Sequence, residues 1–372
     1  VAEDLRAHDR TARYAAYLEG TGAVTLHTDV PAEAHLHRVG VRDRRWVPEP
    51  VRSLGQTPLD AVPLPMGDWV ITLHRDGHEV VTYPVELRRG EHWHGVRPGG
   101  TAPHPVWVPP VGALGPGERY VPAGWFWSGE DELEHTLPVR RVWADAFVIG
   151  QFPVTVGEYV GYLNALLAAG DEAGALAAAP RLGDADEPLF ARDASGRFTG
   201  VRRDRDGPGW DLLPTGLDVP VSSVDWTQAA GSARWAGARL PMELEWQKAA
   251  RGVDARRYPW GEHFEPGWCR MALSAPEIMI VPVTAYPIDH SPYGVRGLAG
   301  NVADWVADGV PELAAQRDTD VVLVETWDAP QRIAAGGSCG AGPRTCETTQ
   351  RSRITATSRG LRIGFRLARS IG

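Results

Sequence analysis

The chain contains few cysteines, with only Cys269, Cys339 and Cys346 among 372 residues. Three thiols cannot form the disulfide framework of a small secreted domain, and an odd number leaves at least one thiol unpaired within a monomer. We therefore expect the chain to work in a reducing environment, and cytoplasmic localisation is our prediction.

The chain also lacks a basic excess and long apolar runs. Its formal net charge is −9, whereas proteins that bind the phosphate backbone of nucleic acids present a basic surface. No segment approaches the roughly 18 consecutive apolar residues of a membrane span. The start, Val1-Ala2-Glu3-Asp4, is too charged for a signal peptide. We expect neither a nucleic-acid partner nor a membrane span in this chain.

Glycine, proline and tryptophan, in contrast, are abundant, with 42, 31 and 15 residues. Glycine and proline favour turns, so we expect many loops and few long helices. The length exceeds that of most single domains. We predict a helical linker over 1–20, a small β module over 21–110 and a large domain over 118–372, with a Pro- and Gly-rich boundary near 97–117.

Alternation of apolar and polar residues predicts strands in the first module, for example over 69–73 and 80–85, with a turn at Arg75-Asp76-Gly77 between them. Residues 20–90 resemble the PEGA module, although Pro31-Ala32-Glu33-Ala34 stands where the name-giving motif has Pro-Glu-Gly-Ala. The resemblance implies a non-catalytic spacer or adhesion unit.

The large domain opens with two predicted strand segments, residues 120–126 and 142–149. A helix follows and ends near Ala168, with Thr155 placed as its N-cap and Glu158 as the capping-box partner. A second helix is predicted over 226–236, with Thr227 as its cap. The rest of this domain is expected to be rich in loops.

Several strings of the large domain occur together in one known family. They are Pro220-Val221-Ser222-Ser223-Val224-Asp225-Trp226, Ala238-Arg239-Leu240-Pro241, Tyr258-Pro259-Trp260-Gly261, Gly300-Asn301-Val302-Ala303-Asp304-Trp305, Gly336-Gly337-Ser338 and Gly364-Phe365-Arg366-Leu367. In order and spacing they resemble the formylglycine-generating-enzyme (sulfatase-modifying factor) family, over about residues 118–369. The resemblance implies an α+β fold of the C-type-lectin-like kind, rich in loops, here preceded by the small all-β module.

The same resemblance implies an oxidase as one alternative function. The family's enzyme oxidises a cysteine of a client protein with copper on two thiolates, three and eight residues after Gly-Gly-Ser; soft thiolates select Cu(I). Cys346 lies eight residues after Ser338, but Ala341 holds the first position and Cys339 directly follows Ser338. A copper-dependent formylglycine-generating oxidase would therefore have to use Cys339 and Cys346, beside Ser338.

Calcium is a second cofactor that the resemblance implies. Asn301 and Asp304 offer the hard oxygen ligands that calcium prefers, and family members often hold calcium near this string, usually with Glu at the position of Asp304. The other interpretation is a hydrogen-bonded turn without an ion.

The segment 339–362 is small, polar and irregular, and it lies between two strongly patterned strings. Variable proteins of diversity-generating retroelements have this fold and place their diversified residues in this stretch, on a rigid scaffold. Other parts of the chain resemble C-terminal extensions of bacterial serine/threonine kinases, which sense or bind, although no kinase signature occurs here. An ordinary solvated loop is the other interpretation of the segment.

We therefore predict a non-catalytic ligand-binding or sensor protein. Its ligand is an unknown protein or small molecule, and an upstream serine/threonine kinase is a candidate partner. The predicted contacts are Cys339, Thr345, Glu347, Thr348, Gln350, Ser352, Arg353, Thr355, Thr357 and Arg359, with Trp305 and Trp327 as aromatic walls.

Overall fold

A computed structural model describes residues 13–131, 136–182, 187–202, 204, 216–309 and 331–371. The helices in these ranges are α1 (Ala15–Glu19), α2 (Val156–Ala168), α3 (Glu172–Ala178), α4 (Trp226–Trp235) and α5 (Glu243–Arg251), with short 3-10 helices at Pro266–Trp268 and Pro343–Cys346. None of the helices in the described ranges has the length and apolar character needed to cross a membrane.

Seven strands follow α1 in the N-terminal region. They are β1 (Thr21–Leu26), β2 (Glu33–Arg42), β3 (Arg45–Gln56), β4 (Leu59–Pro65), β5 (Gly67–His74), β6 (Val81–Leu87) and β7 (His92–Trp93). One sheet has the order β3-β2-β5-β6 and the other β4-β1-β7. The segment 97–117 packs on these strands, because Val106 pairs with Thr28 and both Val106 and Val108 are buried. The resemblance to the PEGA module stays a prediction.

In its described residues the C-terminal region contains short strands in five small sheets. The strands are β8 (Glu118–Val121), β9 (Gly124–Ser128), β10 (Arg140–Ala144), β11 (Phe147–Gly150), β12 (Arg181–Leu182), β13 (Glu187–Pro188), β14 (Phe190–Arg192), β15 (Phe198–Val201), β16 (Ala303–Gly309), β17 (Gln331–Ala335), β18 (Arg351–Thr355), β19 (Ile363–Phe365) and β20 (Ala368–Ser370). The largest sheet has the order β18-β17-β16-β19. Mixed sheets and few helices match the loop-rich α+β prediction.

Each of the two strand segments predicted at the start of this region is divided. Pro122 and Gly124, the latter at φ +153, separate β8 from β9, and residues 145–146 separate β10 from β11. β8 and β11 join β20 in one sheet, whereas β9 and β10 pair in another. The prediction of single strands was wrong because each segment turns at these residues and enters two sheets.

The cap of α2 was predicted correctly and that of α4 was not. The Thr155 hydroxyl accepts from the Glu158 N–H at 3.2 Å, and Glu158 accepts in return from the Thr155 N–H at 2.7 Å. For α4 the cap is Asp225, which accepts from the Gln228 N–H at 2.9 Å. Thr227 lies inside the helix, since the reciprocal pair Asp225 and Gln228 satisfies the first-turn donors.

The N- and C-terminal regions share one hydrophobic cluster. Leu36 and Ile71 of the first region belong to the same buried cluster as Phe126 and Leu244 of the second. Polar contacts add to it, since the Trp127 indole N–H donates to the Glu86 carboxylate at 2.5 Å. The two regions are therefore packed against each other over a continuous apolar core.

Candidate functional site

The C-terminal groove is a cavity of about 680 Å³ beside the largest sheet. It is bordered by the segment 336–342, by Ser352 and Ile354 of β18, and by residues 360–363. Of the contacts predicted from the sequence, Thr345, Gln350 and Ser352 line it, as does Ser338.

Strand β18 divides the remaining predicted contacts between two faces, because side chains alternate along a strand. Ser352 and Ile354 face the groove, whereas Arg353 and Thr355 are exposed and do not line it. Thr357 is also exposed, and Arg359 lies 3.7 Å from the Asp225 carboxylate. The segment therefore carries two surfaces, a groove and an outer face, instead of the single face predicted.

Four predicted contacts lie in the interior. Trp305 is 0% exposed and donates its indole N–H to the Val224 carbonyl at 3.0 Å, so it cannot form an exposed aromatic wall. Cys339, Glu347 and Thr348 are buried as well. The Thr348 hydroxyl donates to a backbone carbonyl at 2.8 Å. The second predicted wall, Trp327, lies outside the described residues.

Arg362 is a groove residue that sequence reasoning missed. The Arg362 guanidinium lies against Gly340, so a Cβ at position 340 would overlap it. Any side chain at position 340 would therefore displace the Arg362 guanidinium. Burial raises the pKa of Cys339, and the positive charges of Arg362 and Arg270 oppose that rise. Arg362 is the last residue of the polar segment 339–362, but nothing in the sequence distinguishes it from its neighbours.

The structure gives Asn301 and Asp304 separate protein partners. The Asn301 amide bridges the backbone of Val281, accepting at 3.0 Å and donating at 2.9 Å. Asp304 Oδ2 accepts from Arg366 Nε at 2.6 Å and from Trp246 Nε1 at 2.8 Å. Both side chains therefore have protein partners, as in the interpretation of a hydrogen-bonded turn without an ion, while Asp304 Oδ1 has no hydrogen-bond partner among the described residues. Calcium at this string stays a prediction. Among the described residues, no group of three or more His, Cys, Asp or Glu side chains could hold a metal ion.

Calcium or EDTA should therefore leave the midpoint of thermal unfolding unchanged. A cation that binds only the folded state would raise this midpoint with its concentration. Differential scanning fluorimetry with added CaCl₂ or EDTA measures the effect. A calcium-dependent rise that disappears in Asn301→Ala would contradict the expectation and place an ion beside that residue.

The comparisons with known proteins agree with the strings in the C-terminal region. Residues 110–371 match the model of the sulfatase-modifying factor enzyme 1-like domain, FGE-sulfatase. The chain belongs to this family. The FGE-sulfatase match covers β8–β20 and every residue of the C-terminal groove.

Three curated relatives illustrate the range of this family. The chain is 27% identical over 284 residues to the formylglycine-generating enzyme of Bos taurus, covering 67% of this chain and 73% of that protein. It is 31% identical over 176 residues to the inactive C-alpha-formylglycine-generating enzyme 2 of Bos taurus, covering 45% and 55%. It is 32% identical over 178 residues to the serine/threonine-protein kinase pkn1 of Chlamydia pneumoniae, covering 46% and 24%.

The chain spans about half the length, or less, of several curated relatives that it matches. Among solved structures, PvdO from Pseudomonas aeruginosa matches with a TM-score of 0.50 and 23% identity, over 68% of this chain and 94% of that one. This likeness concerns the fold. The C-terminal region has the C-type-lectin-like fold of the FGE-sulfatase family.

None of the three thiols of this FGE-sulfatase domain lines the groove. Cys346 is 0% exposed and belongs to a buried cluster that contains Cys269, whereas Cys339 packs in a different cluster. A hydrogen bond between the Cys269 and Cys346 thiols, followed by burial, raises the pKa of Cys269. The predicted pair was Cys339 and Cys346, but the thiol neighbour of Cys346 is Cys269. Ala341 lines the groove where the family's enzyme has its first active-site cysteine.

Proposed function

We propose that this FGE-sulfatase domain binds a ligand in its C-terminal groove and does not oxidise a client cysteine. One observation carries the proposal: the groove presents Ala341 in place of the first family cysteine, while the second, Cys346, is buried against Cys269. A copper site on thiolates needs two converging sulfur ligands, and the described lining of the groove contains none.

An extended peptide is the class of ligand that the groove favours. Ala303, Ala334 and Ser352 line the groove from three neighbouring strands, β16, β17 and β18, so the groove crosses one face of the sheet and can take the side chains of such a peptide. Gln350 and Ser352 provide polar side chains in the lining of the groove, and Arg362 provides a cationic group. The 680 Å³ of the groove suits a few residues of such a peptide.

The peptide proposal predicts a contrast between two substitutions on one strand. Ser352→Trp should fill the groove and abolish peptide binding, whereas Thr355→Trp, on the outer face of β18, should leave it unchanged. A set of short capped peptides, screened by NMR chemical-shift perturbation of the folded protein, provides the probe. Perturbations that are absent, or that survive Ser352→Trp, would count against the groove as the binding site.

The oxidase alternative has specific support. Cys346 holds the family position eight residues after Ser338, and the formylglycine-generating enzyme of Bos taurus aligns over 67% of the chain. If the buried thiols rearrange around copper, client oxidation would follow. This alternative requires both Cys339 and Cys346, because a single thiolate does not supply the expected pair.

Incubation of the reduced protein with Cu(I), oxygen and a cysteine-containing peptide separates the two functions. We expect no conversion of the peptide cysteine to an aldehyde, measured by mass spectrometry. Product that forms with the wild type and disappears in both Cys339→Ala and Cys346→Ala would establish the oxidase. Thr355→Ala, on the outer face of β18, is the control, because it leaves all three thiols in place.

The finer proposal concerns the outer face of β18 and the turn that follows it. Arg353, Thr355 and Thr357 are exposed on a fixed backbone and could change without disturbing the core, which suits a hypervariable recognition surface of the kind in diversity-generating-retroelement variable proteins. The kinase relative from Chlamydia pneumoniae supports, as a second proposal, a sensor domain attached to a serine/threonine kinase. Sequencing of this segment across sibling isolates tests the first idea, since invariance of these three positions would remove it.

A further inference from the structure

A second cavity of about 700 Å³ lies between the N-terminal and C-terminal regions. We call it the interdomain cleft; its walls are the sheet β3-β2-β5-β6 on one side and residues 256–260 and 290–294 on the other. It shares no lining residue with the C-terminal groove. Its volume is that of a site for a small molecule.

The hairpin of β2 and β3 fixes one wall of this cleft. Asp43 and Arg44 both have positive φ, +49 and +64, as the central residues of a two-residue hairpin turn do. Directly after the turn, the Trp46 N–H donates to the Trp260 carbonyl of the C-terminal region at 2.8 Å. A Cβ at Gly261 would come within 2.8 Å of Trp46, so glycine permits this close approach. The wall is therefore held in place without a ligand.

The walls contain three aromatic side chains, of which Trp46 is half-buried and Trp260 and Tyr293 are buried. Trp260 stacks on Tyr258 with ring centroids 5.2 Å apart and donates its indole N–H to the His263 carbonyl at 2.7 Å. Trp46 lies under the Arg256 guanidinium at 5.0 Å, and Tyr293 is buried. Side chains fixed in this way bind a flat apolar body with little loss of conformational entropy.

The charged residues that line the cleft are basic, whereas the whole chain has a negative net charge. The lining contains Arg45, Arg256, His37 and His290 but no Asp or Glu, although the whole chain carries a net charge of −9. The buried Asp254 neutralises Arg256 through a contact of 2.6 Å. Arg45, in contrast, makes no ion pair or side-chain hydrogen bond with the part of the chain that the structure describes.

The cations of the cleft also affect the pKa of His290, an exposed residue of its lining. Desolvation of the ring lowers the pKa of His290; the carbonyl of Ser291 opposes this, and the charges of Arg296, Arg45 and Arg256 lower it further. An anion bound near Arg45 would oppose the effect of these cations on the pKa of His290. The charges that line the cleft therefore favour an anion over a cation as its ligand.

We propose that the interdomain cleft binds a small organic anion, with its aromatic or other flat apolar body against Trp46 and its carboxylate or sulfonate at Arg45 and His290. Aromatic walls supply the apolar contact, and a guanidinium forms charge-assisted hydrogen bonds with such acids. This site does not depend on the function proposed for the C-terminal groove.

Titration of the full chain with 8-anilinonaphthalene-1-sulfonate, a fluorescent aromatic anion, tests the site. We expect saturable one-to-one binding that Arg45→Gln weakens about tenfold, as loss of a charge-assisted contact does. Arg44→Gln is the matched control: Arg44 is exposed, pairs with Glu265 at 3.7 Å and does not line the cleft, so it should change the affinity less than about twofold. Ser352→Trp, in the groove, should leave binding intact.

Two displacing ligands test the sign of the charge. 4-Phenylbutyrate should compete with the fluorescent probe, and 4-phenylbutylamine, with the same ring and opposite charge, should not. The proposal is overturned by an absence of saturable binding, by equal effects of Arg45→Gln and Arg44→Gln, or by equal competition from the amine. Loss of binding in Ser352→Trp alone would move the probe to the groove and also reject the cleft. Matching thermal unfolding midpoints of the variants establish that all are folded.

Discussion

Arg366→Met should lower the free energy of unfolding by about 3–5 kcal/mol, because it leaves a buried carboxylate without its cation. Arg366 is 0% exposed, and its Nε donates to Asp304 Oδ2 at 2.6 Å. Its remaining nitrogens donate to four backbone carbonyls, those of Gly150, Gln151, Arg296 and Gly297. The substitution removes all of these donors at once while keeping an apolar side chain of similar length.

Urea unfolding followed by tryptophan fluorescence measures the change. Arg42→Met is the matched control, since Arg42 pairs with Glu49 at 2.7 Å on the surface and such pairs contribute less than about 1 kcal/mol. Adding Asp304→Leu to Arg366→Met should restore part of the stability, because the double variant no longer buries an unpaired charge. Equal losses in Arg366→Met and Arg42→Met would contradict the role of the buried pair.

The sequence suggested calcium beside Asp304 and did not indicate the ion pair of Asp304 with Arg366. Asp304 follows Asn301 closely in the chain, and two oxygen-bearing side chains at that spacing are typical of a cation site. The cation that Asp304 contacts is Arg366, 62 residues further along. β16 and β19 bring them together as parallel neighbours, with Asp304 opposite Gly364. A pairing that depends on sheet order cannot be predicted from local spacing.

Local features were predicted better than distant contacts. The capping box of Thr155 and Glu158 involves residues three apart, so the sequence carries all the information that forms it. At α4 the prediction chose Thr227, whereas Asp225, two residues earlier, caps the helix with Gln228 as its reciprocal partner. Family strings supplied the fold of the C-terminal region, since their order is itself a long-range signal.

The site was predicted in outline and not in detail. The polar segment 339–362 does border a groove, but the alternation of β18 placed Ser352 in it and Arg353 outside. The contact of Cys346 with Cys269 crosses 77 positions of sequence, 346 − 269, and followed from no spacing that the sequence displays. The interdomain cleft could not be predicted at all, because it depends on how the β2–β3 hairpin meets Trp260.

The second large effect concerns pH. Asp308 is 2% exposed, and its Oδ2 accepts from the Glu243 N–H at the start of α5. Burial, and then the charge of Glu243, raises the pKa of Asp308 to about 7. Between about pH 4 and pH 7 the folded state therefore keeps a proton that the unfolded state has released. Stability falls as pH rises through this window, by up to roughly 4 kcal/mol from this residue.

Asp308→Asn should remove this part of the pH dependence, because the amide stays neutral and can still accept from the Glu243 N–H. Compared with the wild type, the variant should gain stability from pH 5 to about pH 7 and then level off towards pH 8, measured by urea unfolding at each pH. Asp76→Asn is the control, since this exposed carboxylate at a turn is solvated whether or not the chain is folded. A difference between Asp308→Asn and wild type that stays constant over that range would show that Asp308 is already ionised in the folded protein. In that case its buried charge would have to be compensated at the N-terminus of α5.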